Sequence, residues 1–258
     1  MSCTAEEIWE KVWGTTTVEE QLTILRSDEY FEHINNVIKK LPRRARILEA
    51  GCGLGRWVFY LDSLGFETVG LDIVREALKE AIAYGRIKRK PTVLVRGDVL
   101  NLPFRENSFD LVLSLGVIEH FKNGKEKTCI KESFKVLKNF GLLFVSVPNK
   151  YHFIYILLRG YSTMRGKWRI GFERSFSIRD LKHFLEVEGF LVQEVKTFGF
   201  KYATTHVILG LSFLWPLIFV KGVRIYFYDK LILHLTKVLR AFRLFGFYAC
   251  VIGRKLHL

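Results

Sequence analysis

The chain has 258 residues, a formal net charge of +14 and a hydrophobic content of 49%. A chain of this length and composition can bury a substantial core, which excludes a disordered segment or a small fold held by disulfides or metal. The four cysteines are widely separated, which excludes a CxxC redox motif or a zinc knuckle. With no signal-peptide pattern in residues 1–20, these free thiols predict a cytoplasmic location.

The positive charge is concentrated late in the chain. Residues 151–258 hold 17 basic and 6 acidic side chains, whereas residues 1–40 hold 4 and 8. An anionic partner would therefore meet the later segment. A surface rich in Lys and Arg, of the kind found in thermophiles, is the alternative.

Taken in chain order, the pattern predicts helices over 5–13 and 17–40, with Thr17 capping the second helix. From residue 45 onward, short apolar runs alternate with helical stretches. The predicted strands are Arg46–Ala50, Thr68–Leu71, Thr92–Arg96, Leu111–Ser114, Leu142–Val147, Phe190–Thr197 and Phe247–Ile252. The helices between them are predicted over 55–64, 74–85, 125–138 and 177–188, with Ser177 capping the last one and Gly189 ending it.

This alternation predicts an α/β Rossmann-like fold, with a mostly parallel seven-stranded sheet and helices on both faces. We expect a single domain over 1–258 with five parts. These are an N-terminal helical cap (1–40), a cofactor-binding core (41–150), an acceptor-side segment (151–202), an apolar helical insert (203–245) and the last strand (246–258).

A glycine-rich loop follows the first predicted strand. Gly51, Gly53 and Gly55 alternate between that strand and a helix, and Glu49 precedes them. Glycines let the backbone turn sharply and approach a ligand closely. Asp72 ends the next strand about 20 residues later, where a carboxylate can accept both ribose hydroxyls of a nucleoside.

The glycine spacing separates two cofactors. A dinucleotide loop reads GxGxxG, and its third glycine would fall at Arg56, whereas here it is Gly55. The carboxylate of Glu49 would not favour a pyrophosphate, but it would favour a cationic amino-acid group and a sulfonium. The loop therefore favours S-adenosyl-L-methionine over NAD.

Together with further motifs, this loop resembles the class I methyltransferases, in particular the small-molecule branch that includes enzymes of ubiquinone and menaquinone biosynthesis. The resemblance covers about residues 40–150. The motifs that carry it are Arg96–Val99, Leu102–Phe104, Ser108–Val112, Val117–Phe121 and Val136–Lys138 before Gly141. The family's usual Pro-Gly-Gly is here Asn139-Phe140-Gly141.

The resemblance implies S-adenosyl-L-methionine as the cofactor and a role for each matched residue. Gly51, Gly53 and Gly55 would surround the methionine part, with Glu49 near its amino group and Ser114 and Leu115 at its border. Asp72 would hold the ribose, Asp98 the adenine amino group, and Val99 would pack beside the ring. Asp98 as a turn residue and Val99 as core packing are the structural alternatives.

His120 is the candidate catalytic base, because it follows the fourth strand at the expected pocket mouth and titrates near neutrality. A structural contact or a contact with the cofactor is the alternative. Some quinone O-methyltransferases place acidic residues around the Glu-His pair to hold a metal. Here the position three residues before Glu119 is Gly116, so we predict no metal.

Basic and aromatic residues alternate within 151–175, where related enzymes insert acceptor-binding elements. The candidate acceptor-binding residues are Arg159, Arg165, Arg169 and Arg174. Arg forks bind phosphate or carboxylate. A solvated loop is the alternative, and nucleic acid is disfavoured because the rest of the insert is apolar.

Residues 207–220 are almost wholly apolar, but 14 residues are fewer than the roughly 20 that span a bilayer as a helix. Residues 230–245 predict an amphipathic helix with a basic face, which suits an anionic membrane surface. A lid packed over the sheet is the alternative reading of 203–245.

These observations predict a methyltransferase for a small, lipophilic or anionic acceptor, either cytoplasmic or peripheral to a membrane. Two rivals stay open. One is an NAD-dependent oxidoreductase, and the other is a catalytically silent, membrane-associated regulator that binds S-adenosylmethionine. The oligomeric state and the acceptor atom stay open as well.

Overall fold

The computed structural model describes residues 4–25, 31–89, 92–198 and 247–256. Three helices precede the first strand: α1 (Ala5–Trp13), α2 (Val18–Leu25) and α3 (Phe31–Ile38). The last two lie within the stretch 17–40 predicted as one helix. Thr17 caps α2 as predicted, since its Oγ1 accepts the Glu20 backbone N–H at 3.3 Å and its own N–H donates to Glu20 Oε2 at 3.0 Å.

Seven strands and five further helices follow, and every predicted strand is confirmed. They are β1 (Arg46–Ala50), α4 (Arg56–Ser63), β2 (Glu67–Asp72), α5 (Arg75–Ile87), β3 (Val93–Arg96), β4 (Phe109–Leu115), α6 (Lys125–Val136), β5 (Leu137–Pro148), α7 (Phe153–Met164), α8 (Ile178–Val187), β6 (Phe190–Phe198) and β7 (Tyr248–Lys255). The loop reading of 151–175 is wrong for its first half, because α7 is a helix of 12 residues. Ser177 caps α8 with Asp180, and Gly189 has a positive φ just beyond its end, as predicted.

The strands form one sheet in the order β3-β2-β1-β4-β5-β7-β6. The pairs among β1 to β5 are parallel, and β7 lies antiparallel between β5 and β6. After β1 the chain runs outward to β2 and β3 and then returns to place β4 on the other side of β1. The strand order thus reverses between β1 and β4, where open α/β sheets bind ligands.

Alternate residues of the central strands pack into two cores, which explains why the strands are apolar on both sides. Leu48 and Val112 belong to one core, against α6 and α8. Ile47 and Leu111 belong to the other, against α3 and α4. The helices therefore cover both faces of the sheet, as predicted.

A buried lysine ties β7 to the junction between α6 and β5. Lys255 Nζ donates to the backbone oxygens of Leu137 (2.7 Å) and Phe134 (3.0 Å) and to Asn107 Oδ1 (3.0 Å). Three acceptors satisfy its three donors, which makes a buried ammonium tolerable.

The predicted apolar insert, residues 203–245, lies outside the described residues. Of the helices within the described ranges, none is both long and apolar enough to cross a bilayer.

Candidate active site

A cavity of about 620 Å³ opens at the carboxyl ends of β1, β2, β3 and β4, at the reversal of strand order. Seven of the predicted site residues line it: Glu49, Gly51, Asp72, Asp98, Val99, Leu115 and His120. Gly53, Gly55, Ser114 and the four candidate arginines are not among the lining residues. The cofactor motifs and the candidate base thus border one space, whereas the candidate acceptor-binding arginines do not.

The loop after β1 turns because its glycines take left-handed backbone angles. Gly51 has φ +85°, and a Cβ there would lie 2.5 Å from Val117 Cγ2. The loop is held to β2 by its backbone, since Gly51 N–H donates to Leu71 O at 2.7 Å. Only glycine suits position 51, for two reasons. Its backbone angle is left-handed, and the turn passes too close to the residues after β4 to leave room for a Cβ.

Asp72 braces this loop. Its two carboxylate oxygens accept the backbone N–H groups of Gly53 (2.7 Å) and Val74 (2.9 Å). Burial raises the pKa of Asp72, and these backbone donors oppose that shift. Because a carboxylate oxygen can accept more than one hydrogen bond, Asp72 can hold the loop and still receive a ribose hydroxyl.

Gly53 is needed for a reason that the sequence did not reveal. An added Cβ at Gly53 would lie 2.3 Å from Cζ2 of Trp13. The ring of Trp13, on helix α1, packs directly on the glycine loop. An aromatic side chain of the N-terminal cap therefore borders Gly53, and the collision of a larger side chain with the cofactor stays a prediction.

Glu49 is a buried carboxyl at the floor of the cavity, 4% exposed. Among the described residues its Oε2 has no hydrogen-bond partner. Burial raises the pKa of Glu49 to about 8, with Arg56 opposing the shift. A buried acid in need of a partner fits a cationic ligand group, because a nearby positive charge restores the ionised form.

The remaining candidate cofactor-binding residues differ in how far they are exposed to the cavity. Asp98 is exposed at the cavity rim, where its Oδ1 accepts the backbone N–H of Leu100 at 2.9 Å, so it is a turn residue that also lines the cavity. Val99 is buried and belongs to the core while it borders the cavity. Leu115 borders the cavity at the end of β4, and Ser114 is buried within that strand.

The imidazole of His120 is held in one tautomer. Its Nδ1 lies 2.8 Å from the carbonyl oxygen of Phe172, which can only accept, so Nδ1 carries the proton and Nε2 the lone pair. Burial lowers the pKa of His120, an effect opposed by the Phe172 carbonyl and Glu173. The neutral form therefore prevails at pH 7, with Nε2 ready to accept a proton.

Nε2 is also kept apart from the neighbouring carboxyl. Glu119 Oε1 lies 3.9 Å from it, beyond hydrogen-bond distance. Glu119 is 3% exposed, and burial raises the pKa of Glu119 well above its usual range, which favours the protonated carboxyl. No group of three or more His, Cys, Asp or Glu among the described residues is arranged to hold a metal ion.

The N-terminal cap contributes site residues that sequence analysis missed. Trp9 and Trp13 lie four residues apart on α1, their rings stack at 6.0 Å, and both line the cavity. The Trp9 ring meets the imidazole of His120 edge-on, at 4.8 Å between centroids. Arg96 pairs with Glu6 at 2.8 Å and fastens α1 to the end of β3. The spacing of four was visible in the sequence, but the surface it packs on was not.

The structure does not bring the four candidate arginines together. Arg159 pairs with Glu173 at 2.9 Å, and Arg174 pairs with Glu126 at 3.2 Å. Arg165 and Arg169 are exposed. Two of the four charges are thus already neutralised, and the predicted anion-binding cluster is not formed.

Fold and site together define a Rossmann-like domain that binds a nucleoside with a cationic appendage. The Gly51 turn would lie against such a ligand, Asp72 would receive its ribose, and the unpartnered buried oxygen of Glu49 fits its ammonium group. These features fit S-adenosylmethionine better than a dinucleotide, because a pyrophosphate offers no cationic group to the buried carboxyl of Glu49.

Comparison with known proteins agrees with this class. Residues 48–145 match a family model described as a methyltransferase domain. An uncharacterized protein of Methanocaldococcus jannaschii is 38% identical over 120 residues, which are 46% of this chain and 49% of that protein. A Mycolicibacterium smegmatis protein described as a probable S-adenosylmethionine-dependent methyltransferase is 28% identical over 169 residues, 64% of this chain and 60% of that one.

Among solved structures, an S-adenosylmethionine-dependent methyltransferase of Thermotoga maritima shares the fold. Its TM-score is 0.61 at 20% identity, over 98% of this chain and 100% of that one. The alignments span about half to three fifths of the lengths of the two curated relatives. These matches support an S-adenosylmethionine-dependent methyltransferase domain over residues 48–145, with S-adenosyl-L-methionine as its cofactor.

Proposed function

We propose that the protein transfers a methyl group from S-adenosylmethionine to a small lipophilic or anionic acceptor that binds beside His120. One observation carries the proposal. A single cavity contains the cofactor-binding groups Gly51 and Asp72 and also the lone-pair nitrogen of His120. Cofactor and acceptor would therefore meet in one cavity.

Bound S-adenosylmethionine supplies a methyl group that its sulfonium already activates. What this chain supplies is alignment and a route for the proton. His120 Nε2 accepts the proton from an acceptor hydroxyl or amine as the nucleophilic atom bonds to the methyl carbon and the bond from sulfur to methyl breaks. The Phe172 carbonyl fixes the tautomer, and the Trp9 ring fixes the plane of the imidazole.

The side chains around His120 suit an acceptor that is mostly apolar. Trp9, Val117 and Phe121 line this part of the cavity, and Lys122 and Lys125 lie at its rim. Such a pocket would hold a ring or an alkyl chain and attract an anionic group at the opening. This agrees with the resemblance to the quinone-modifying branch.

The test is release of S-adenosylhomocysteine on incubation with lipid and metabolite fractions, which detects turnover whatever the acceptor. Replacing His120 with Asn should lower turnover by roughly 10²–10⁴-fold, the usual contribution of a positioned base, with cofactor affinity kept. The matched control is His183→Asn, an exposed histidine on α8, which should change neither quantity. Binding of S-adenosylmethionine without turnover on any fraction would favour the silent regulator, and binding of NAD in its place would favour the oxidoreductase.

A further inference from the structure

One side of α7 exposes large apolar side chains. Leu157, Tyr161 and Met164 recur at i, i+4 and i+7, and they are 68%, 56% and 81% exposed. That spacing places them on one face of the helix, which we call the α7 ridge. Three adjoining apolar side chains this exposed are unusual on the surface of a monomer and indicate an interaction surface.

The opposite face of α7 is anchored, so the ridge cannot rotate inward. The Tyr155 hydroxyl donates to Glu173 Oε1 at 2.6 Å, and Arg159 pairs with the same oxygen at 2.9 Å. The Tyr155 ring also packs edge-on against Trp168, at 6.2 Å between centroids. These contacts turn the ridge away from the rest of the described residues.

The exposed charged side chains that follow the ridge in the chain are basic. Arg165, Lys167 and Arg169 are exposed in the turn after α7, and we call them the basic turn. No acidic residue occurs in the sequence between Glu132 and Glu173. The α7 ridge therefore adjoins exposed positive charge.

We propose that the α7 ridge and the basic turn dock the protein on an anionic lipid bilayer. In a docked helix, apolar side chains enter the boundary between headgroups and acyl chains while Arg and Lys contact lipid phosphates and carboxylates. Ridge and turn have this arrangement. An apolar face next to exposed positive charge is complementary to such a surface.

The docking face continues to the rim of the cavity. Phe172 follows the basic turn and holds His120 through its carbonyl oxygen, and Lys122, at the rim, lies over the Phe172 ring at 4.4 Å. Docking would turn this rim toward the bilayer, so a lipophilic acceptor could enter from the membrane. That last step rests on the proposed function, whereas the docking itself does not.

The experiment measures co-sedimentation with vesicles, in the absence of cofactor and acceptor. Wild-type protein should bind vesicles of phosphatidylcholine with phosphatidylglycerol at low salt, bind pure phosphatidylcholine weakly, and dissociate as salt rises. Neutralising the basic turn with Arg165→Gln, Lys167→Gln and Arg169→Gln should weaken binding roughly 100-fold, at about 1 kcal/mol per charge near the surface. The matched control removes three exposed charges from α5 and its C-cap with Arg75→Gln, Arg86→Gln and Lys88→Gln, and it should bind like wild type.

The ridge is tested by Leu157→Gln with Met164→Gln, which should weaken vesicle binding, against Ile87→Gln, an exposed apolar residue on α5 that should not. Unchanged S-adenosylmethionine affinity shows that each variant is folded. The proposal is overturned if wild-type protein ignores anionic vesicles at low salt, or if the two sets of variants behave alike. It is also overturned if the ridge variant instead dissolves a dimer in analytical ultracentrifugation, since a second copy would then cover α7. Vesicle binding without methyl transfer would refute the proposed function and leave the docking intact.

Discussion

We expect cofactor binding to be coupled to the loss of a proton from Glu49, so cofactor affinity should depend on pH. In the free protein, burial raises the pKa of this carboxyl to about 8 from an ordinary value of 4.5. At pH 7 a group with that pKa is about 90% protonated. A cationic ammonium beside the carboxyl stabilises its ionised form, so binding of S-adenosylmethionine should expel close to one proton per molecule from Glu49.

Protonation of Glu49 also determines how the stability of the free protein and its cofactor affinity change with pH. A carboxyl whose folded pKa is raised stabilises the free protein below about 4.5 and loses that contribution as the pH rises toward 8. Cofactor affinity should run the other way, strengthening by up to about tenfold per pH unit below pH 8. Glu49→Gln cannot titrate, so the free variant should exceed wild type in stability near pH 8 and show a flatter affinity profile.

Calorimetry in buffers of different ionisation enthalpy measures the proton release directly. The slope of the observed enthalpy against the buffer enthalpy should differ between wild type and Glu49→Gln by about 0.9 proton at pH 7. Because the ligand is the same for both proteins, its own amino group cancels in this difference. Glu80→Gln, an exposed acid on α5, serves as the control. Equal slopes for wild type and Glu49→Gln would refute the reasoning.

Three further substitutions test other parts of the structure. Gly53→Val should displace Trp13 from the loop, shifting tryptophan fluorescence and costing about 1–3 kcal/mol of stability; an unaltered spectrum would contradict the packing described. Asp72→Ala should weaken cofactor affinity by about 1.5–3 kcal/mol, and an equal loss for a ligand without ribose would exclude the ribose role. Lys255→Met should lower the free energy of unfolding by about 3–5 kcal/mol, because three buried acceptors lose a charged donor. Urea titration measures this change, and a loss under 1 kcal/mol would contradict the prediction.

The strands of the sheet were predictable because each one has a recognisable pattern in its own short stretch of sequence. Apolar runs such as Arg46–Ala50 and Phe190–Thr197 are bounded by turn residues, and both appear within a residue of the expected limits. Helix α7 was missed because its flanking arginines suggested a solvated loop, although Phe153–Met164 is mostly apolar. The local sequence pattern thus predicts strands and helices well, but it fails for an apolar helix with charged residues close to it in sequence.

The candidate site was predictable in its cofactor half and less so beyond it. Gly51 and Asp72 follow strands whose ends must converge, so their positions follow from topology. Arg174 was expected to meet an anionic acceptor, but its partner, Glu126, comes 48 residues earlier in the chain. Trp13 reaches the glycine loop only because α1 packs beside α5 at the edge of the cavity. Such long-range pairings depend on tertiary packing and leave no mark in local sequence.

The position of β7 has a consequence for how the molecule is made. Tyr248–Lys255 is translated after every other described strand, yet it lies inside the sheet and gives β6 its only partner in the strand order. While the chain is still emerging from the ribosome, β1 to β5 can pair, but β5 must keep an open edge and β6 has nothing to join. Unpaired edges of this kind invite association with other chains. Until β7 arrives, the described strands therefore expose two edges, and a chaperone that shields strand edges would have the most to do at this stage.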